Sequence, residues 1–137
     1  METDEKIQQT FKLFVDNDGI LNLEMLSGVN DVVSNVRQAE LIRDNFLKIF
    51  SQKSDQTFNC LISLGGLGPA AHYPSPQSRQ IFAQLIEDKR LKKIAVYAPS
   101  ILLQAIMRFI IYVSDKKDNM QFFQNKDQAI NWLLENE

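Results

Sequence analysis

The residues best suited to chemistry lie in one stretch, Gly65-Gly66-Leu67-Gly68-Pro69-Ala70-Ala71-His72-Tyr73-Pro74-Ser75-Pro76-Gln77-Ser78-Arg79. Bare backbone amides beside a helix start can cradle an anion. A nucleotide loop, however, places Gly-Lys-Ser/Thr directly before its helix, and a dinucleotide fold runs its third glycine into the helix; neither pattern is here. His72 with Ser75 raises acyl transfer, in which a serine needs a base within reach and the base needs an orienting acid. No Gly-x-Ser-x-Gly elbow precedes Ser75, and no neighbouring acid marks itself as the third member. Cys60 sits inside the apolar run Phe58-Asn59-Cys60-Leu61-Ile62, where a thiol behaves as a small hydrophobe. One cysteine and one histidine make no zinc or haem site of familiar type. No catalytic residue, metal or cofactor is therefore assigned, and no enzyme activity is expected.

Two further stretches have unusual composition. Lys89, Arg90, Lys92 and Lys93 form the densest basic run, but no aromatic platform or recognition-helix pattern accompanies it, so a solvated turn is the expectation and nucleic acid is not. Ile101 to Val113 has Gln104 and Arg108 as its strongly polar residues; it is too short to cross a bilayer and too apolar for a simple one-sided surface helix. On a helical wheel Ile111 falls with Ser100, Gln104 and Arg108, and Leu103 and Met107 lie beside it. Leu103, Met107 and Ile111 are thus the candidate interaction face, open to a homodimer, a protein partner or an apolar ligand, or else covered by a neighbouring helix.

The elements that must position these residues follow from periodicity. Phe11, Leu13 and Val15 alternate at the pleat period in a strand from about Gln8 to Val15, with Phe14 a partial exception on the polar face. Asp16-Asn17-Asp18-Gly19 is a turn, and Leu21, Leu23 and Met25 resume the alternation, which makes an antiparallel hairpin. Ala39, Ile42, Phe46, Ile49 and Phe50 form the stripe of a helix that covers a sheet. Thr57 to Leu64 reads as an inner strand, and Gly65 to Pro74 as a loop. Ser75 is a good N-cap and Pro76 a good first residue for a helix with Ile81, Phe82, Leu85 and Ile86 on its stripe. Lys92 to Ala98 is a second inner strand, Pro99-Ser100 opens the helix to about Val113, Met120 to Phe123 is a last strand, and Asn125 caps a final helix. The order β-β-α-β-α-β-α-β-α demands right-handed crossovers and a parallel sheet. The expected class is α/β: a mixed, mainly parallel sheet of about five strands, with an N-terminal antiparallel hairpin and four helices.

The chain has 137 residues, 45% hydrophobic and 23% charged, which suits one globular domain over 1–137, with residues 1–8 a loose extension. Fifteen Lys and Arg against seventeen Asp and Glu leave a net charge of -2, so no global field favours nucleic acid or an anionic membrane. No secretory leader is recognised, and a cytoplasmic location is expected. Loops at the carboxyl ends of parallel strands are where ligands bind in open α/β sheets, which makes Gly65, Gly66, Gly68, His72, Tyr73 and Arg79 the preferred binding loop.

Three segments carry a resemblance: Asp18-Gly19-Ile20-Leu21-Asn22-Leu23; Lys93-Ile94-Ala95-Val96-Tyr97 with the helix from Ile101 to Phe109; and Phe122-Phe123-Gln124-Asn125-Lys126-Asp127-Gln128-Ala129-Ile130-Asn131-Trp132-Leu133. With the order of elements, they resemble the STAS superfamily (sulfate transporter and anti-sigma factor antagonist), in its SpoIIAA-like branch. The resemblance implies a noncatalytic regulatory or scaffolding module in bacterial signalling that binds protein partners; a carrier or sensor of a small apolar or lipid-like ligand is the alternative, and an enzyme using the 65–78 loop comes third. In the family's antagonists a serine or threonine is phosphorylated at the start of the helix after an inner strand. Here that register reads Leu64-Gly65-Gly66-Leu67-Gly68, without a hydroxyl. Ser75 and Ser78 are the nearest candidates, and a phosphate on either would meet the positive end of the following helix and Arg79.

Overall fold

The computed structural model describes residues 2–29, 31–67, 75–111 and 119–135, apart from the side chains of 106, 107 and 109–111. A carboxylate organises the first turn. Asp16 Oδ1 accepts the Asp18 and Ile20 N–H groups at 2.9 and 3.0 Å, while its Oδ2 accepts Asn22 Nδ2 at 3.0 Å. Gly19 takes φ 79°, a left-handed conformation that glycine adopts without steric cost. The turn joins β1 (Phe11–Val15) to β2 (Leu21–Met25) in antiparallel register, Leu13 opposite Leu23. Asn22, between the apolar Leu21 and Leu23, is 5% exposed. Its amide donates to Asp16 Oδ2 and to the Ile20 carbonyl, so it is satisfied inside.

The rest alternates helix and strand: α2 (Val32–Gln52), β3 (Phe58–Ser63), a 3-10 turn at Gly65–Leu67, α3 (Pro76–Ile86), β4 (Leu91–Tyr97), α4 (Ile101–Ile111), β5 (Met120–Phe123) and α5 (Lys126–Leu134). The sheet order is β1-β2-β3-β4-β5, and every pair after the first is parallel. This is the mixed α/β sheet that the alternation requires. The pleat sorts side chains into two cores. Cys60 and Ile62 of β3 face a large core built with Ile42, Phe46 and Phe50 of α2, Leu85 and Ile86 of α3 and Leu103 of α4. Leu61 and Ala95 face the opposite side and meet Ala129 and Leu133 of α5. Burial on both faces explains why β3 and β4 read as nearly continuous apolar runs.

Two expectations at the N-terminus change. Asp4–Gln8, within the segment expected to be a loose extension, forms a further helix, α1, so the described residues form five α-helices rather than four. The strand expected from Gln8 accordingly begins at Phe11. Thr3 caps α1 by accepting the Lys6 N–H, acidic Asp4 and Glu5 occupy its first turn, and Ile7 is fully buried. Five residues are too few to display a helical period, and such a helix persists only through packing. The packing is against α2. Arg37 grips both Asp4 oxygens at 3.0 and 2.8 Å, the Glu2 N–H donates to Ser34 Oγ at 2.9 Å, and Gln38 Nε2 donates to Thr10 Oγ1 at 2.8 Å. Ser34 and Gln38 are buried polar residues for this reason.

Hydrogen bonds from the Arg37 guanidinium hold the Asp4 carboxyl below its ordinary range, with Coulomb attraction adding to them. Hydrogen bonding from Ser34 does the same to Asp31, the N-cap of α2. A carboxyl whose pKa is lower folded than unfolded contributes stability above its unfolded value of about 4, and that contribution disappears as pH falls through the folded value. The urea midpoint should therefore decline below about pH 4, and Asp4→Asn should flatten that acid limb; equal acid limbs in the variant and the wild type would contradict the assignment.

Candidate functional site

Parallel pairing of β2 through β5 sends each strand's carboxyl end to one rim, where α2, α3 and α4 begin. At the end of β3 the Gly65–Leu67 turn folds back so that Leu67 donates its N–H to the Leu64 carbonyl at 3.1 Å. A Cβ on Gly66 would collide with the Met25 carbonyl oxygen and lie 2.9 Å from both Leu26 Cα and the Leu26 oxygen. A Cβ on Gly65 would meet Tyr97 Cε2 at 3.4 Å, which is ordinary contact. Gly66 is thus required for close approach to the end of β2; the glycine run roots the loop against the sheet. Below it Ser63 Oγ is buried without a hydrogen-bond partner among the described residues, in register between Glu24 and Tyr97.

On the far side of the loop, Ser75 caps α3. Its Oγ accepts the Ser78 N–H at 3.2 Å and donates to Ser78 Oγ at 3.0 Å. Both serines converge on α2: Asn35 Oδ1 accepts the Ser75 N–H at 3.2 Å and the Ser78 hydroxyl at 2.7 Å. Ser78 is fully buried, so a phosphate on it would have to displace Asn35; Ser75 is only half-buried. Arg79 lies in the first turn of α3, half-buried. Gly68, His72 and Tyr73 lie outside the described residues, and with them the proposed His72 partner of Ser75.

The candidate helix face is corrected in one member. Of the two alternatives for Leu103, an interaction face or cover by a neighbouring helix, the second is observed: it is 2% exposed and belongs to the large core. Its helix packs against α3, which brings Leu103 inward. The side chains of Met107 and Ile111 lie outside the described residues. The first turn is the exposed part: Ile101 is 79% and Leu102 42% exposed. At the other end of the rim Leu26, Val32 and Val33 are also exposed. Sequence reading missed these residues, and it missed Asn35. The signal for Ile101 and Leu102 was their place directly after the Pro99-Ser100 helix start, where the core stripe has not yet begun.

Away from the rim, two members of the basic run, Arg90 and Lys93, pack into the fold, while Lys89 and Lys92 are exposed. Arg90 pairs with Asp88 at 2.8 Å and lies 4.3 Å from the Phe50 ring centroid. Lys93 lies 5.0 Å from the Trp132 centroid and donates to the Trp132 and Glu135 carbonyls, closing the end of α5. Cys60 is fully buried in β3. Among the described residues no three His, Cys, Asp or Glu side chains gather to hold a metal ion, and no described helix is long and apolar enough to cross a membrane.

Residues 13–137 match the family described as Domain of unknown function (DUF7793). The chain belongs to that family. No curated protein matches this DUF7793 chain. Among solved structures it is similar to an uncharacterized DUF3478-family protein with a SpoIIAA-like fold from Shewanella loihica PV-4, at 15% identity and a TM-score of 0.58, over 90% of this chain and 91% of that one. The DUF7793 chain therefore has a SpoIIAA-like fold, as its sequence resemblance implies.

Two substitutions test the rim. Gly66→Ala should lower stability by about 1–3 kcal/mol through overpacking, whereas Gly28→Ala, with nothing within 4 Å of the added carbon, should change it little. Urea denaturation of both variants distinguishes a close-packed glycine from a merely flexible one. Asn35→Ala leaves the Ser75 N–H and the buried Ser78 hydroxyl without their acceptor and should lower stability by about 1–3 kcal/mol; an unchanged urea midpoint would contradict the clamp.

Proposed function

We propose that the protein is a noncatalytic regulatory or scaffolding module, one folding unit in the cytoplasm, that acts by binding another protein through the carboxyl rim. The observation that carries this reading is the exposure of Ile101 and Leu102, 79% and 42%, at the start of α4 on the carboxyl rim. Contiguous apolar side chains left in water at a rim favour a macromolecular contact over a solvated turn. Leu26, Val32 and Val33 extend apolar surface toward the hairpin end of the same rim. The SpoIIAA-like fold supports the bacterial signalling role that the family resemblance implies, with docking and no covalent turnover by the protein's own residues.

Regulation would fall on Ser75 rather than Ser78. Ser75 is the more accessible hydroxyl, and a phosphate there would add negative charge at the N-terminus of α3. The same modification would remove the Ser75 proton that is donated to Ser78, so it would loosen the start of α3 while creating a new anionic feature on the rim.

The test is affinity purification of the tagged protein from its native host, wild type against Ile101→Asp, with circular dichroism to establish that the variant is folded. A specific protein retained by the wild type and reduced about tenfold or more in the variant, a change of about 1.4 kcal/mol, supports the reading. Identical retained sets, or native mass spectrometry that finds a small apolar ligand and no protein, would replace it.

A further inference from the structure

The first strand is the outer member of the sheet, and its hydrogen-bonding phase is set by its two ends. The Asp16 N–H donates to the Ile20 carbonyl at 3.0 Å and the Leu26 N–H to the Thr10 carbonyl at 2.8 Å. In an antiparallel pair the hydrogen-bonded positions recur every second residue. Lys12 and Phe14 therefore turn their backbone groups toward β2, opposite Glu24 and Asn22. Phe11, Leu13 and Val15 turn theirs outward, and among the described residues no backbone group bonds to them from that side.

These outward positions have a symmetry of their own. They are centred on Leu13, so an identical strand running antiparallel, related by a two-fold axis at Leu13, would set Leu13 against Leu13 and Phe11 against Val15. About six main-chain hydrogen bonds would form, using every outward group of the strand. The side chains agree with the same register. Between the hydrogen-bonded positions, Lys12 of one copy would face Phe14 of the other, on each side of the axis. Lys12 is exposed and Phe14 is 39% exposed, on the sheet face whose described helix, α5, packs over β3, β4 and β5. An ammonium group across from an aromatic ring is attractive, and no like charges are opposed.

Of the devices that blunt an edge the strand carries one charge, Lys12; it contains no proline and pairs with β2 without a bulge. The opposite edge, β5, is shorter, with four residues.

We propose that β1 is a self-pairing edge through which two copies of the chain join into one continuous sheet, antiparallel about Leu13. This interface is independent of the rim and leaves Ile101 and Leu102 free in both copies.

The experiment measures mass against concentration by sedimentation equilibrium, and register by disulfide trapping. The wild type should rise from one chain mass toward two as concentration increases. Leu13→Pro removes an outward N–H that β2 does not use, and should abolish the dimer while the circular dichroism spectrum stays the same. Lys12→Cys and Phe14→Cys chains, mixed under oxidising conditions, should link to each other in preference to either linking with itself, because cross-strand partners at non-hydrogen-bonded positions lie within disulfide reach. Cys60 is buried and common to all these chains. A wild type that stays monomeric throughout, a dimer that survives Leu13→Pro, or mixed chains that link no faster than separate ones would each overturn the proposal. Should Leu13→Pro fail to fold, the trapping result decides alone.

Discussion

Parallel strands cannot be joined by tight turns, and this constraint shapes the whole molecule. Each passage from β2 to β5 must return along the sheet through a helix, so every inner strand delivers its chain to the same rim and every crossover helix starts there. Surface at that rim comes without further design. What distinguishes this chain is how the rim is finished: Gly66 seats one end of the loop against β2, and Asn35 holds the other end to α2.

Much of this was legible in the amino-acid order because the signals were local. Asp16 to Gly19 specified a turn, alternation specified its flanking strands, and Ser75-Pro76 and Asn125 marked helix starts where caps are observed. The unread parts depend on tertiary neighbours. α1 is too short to show a period and gains its place from Arg37, Ser34 and the pocket around Ile7. The burial of Leu103 stayed open because α4 is apolar nearly all round; only the position of α3 decides which side is inside. Asn35 is an ordinary helical asparagine until α3 is brought beside it. Its role belongs to the pair of helices rather than to either segment.

The polar groups inside the fold divide by what they do. Asn22, Ser34 and Gln38 are satisfied by specific partners and fix where the hairpin and α1 sit. Arg90 and Lys93 use their stems and charges to close packing over Phe50 and Trp132, so these two members of the basic run reflect architecture. Ser63, buried without a partner among the described residues, stands apart from these groups. It lies under the loop root, where the strand ends and the rim begins.

The oxygen of Asn35 receives bonds from the backbone just ahead of α3 and from a side chain one turn inside it. It therefore works as a mechanical joint between neighbouring rods. Arg37, two residues further along α2, holds Asp4 of α1, so the joint to α3 and the contact with the amino-terminal helix share one stretch of α2.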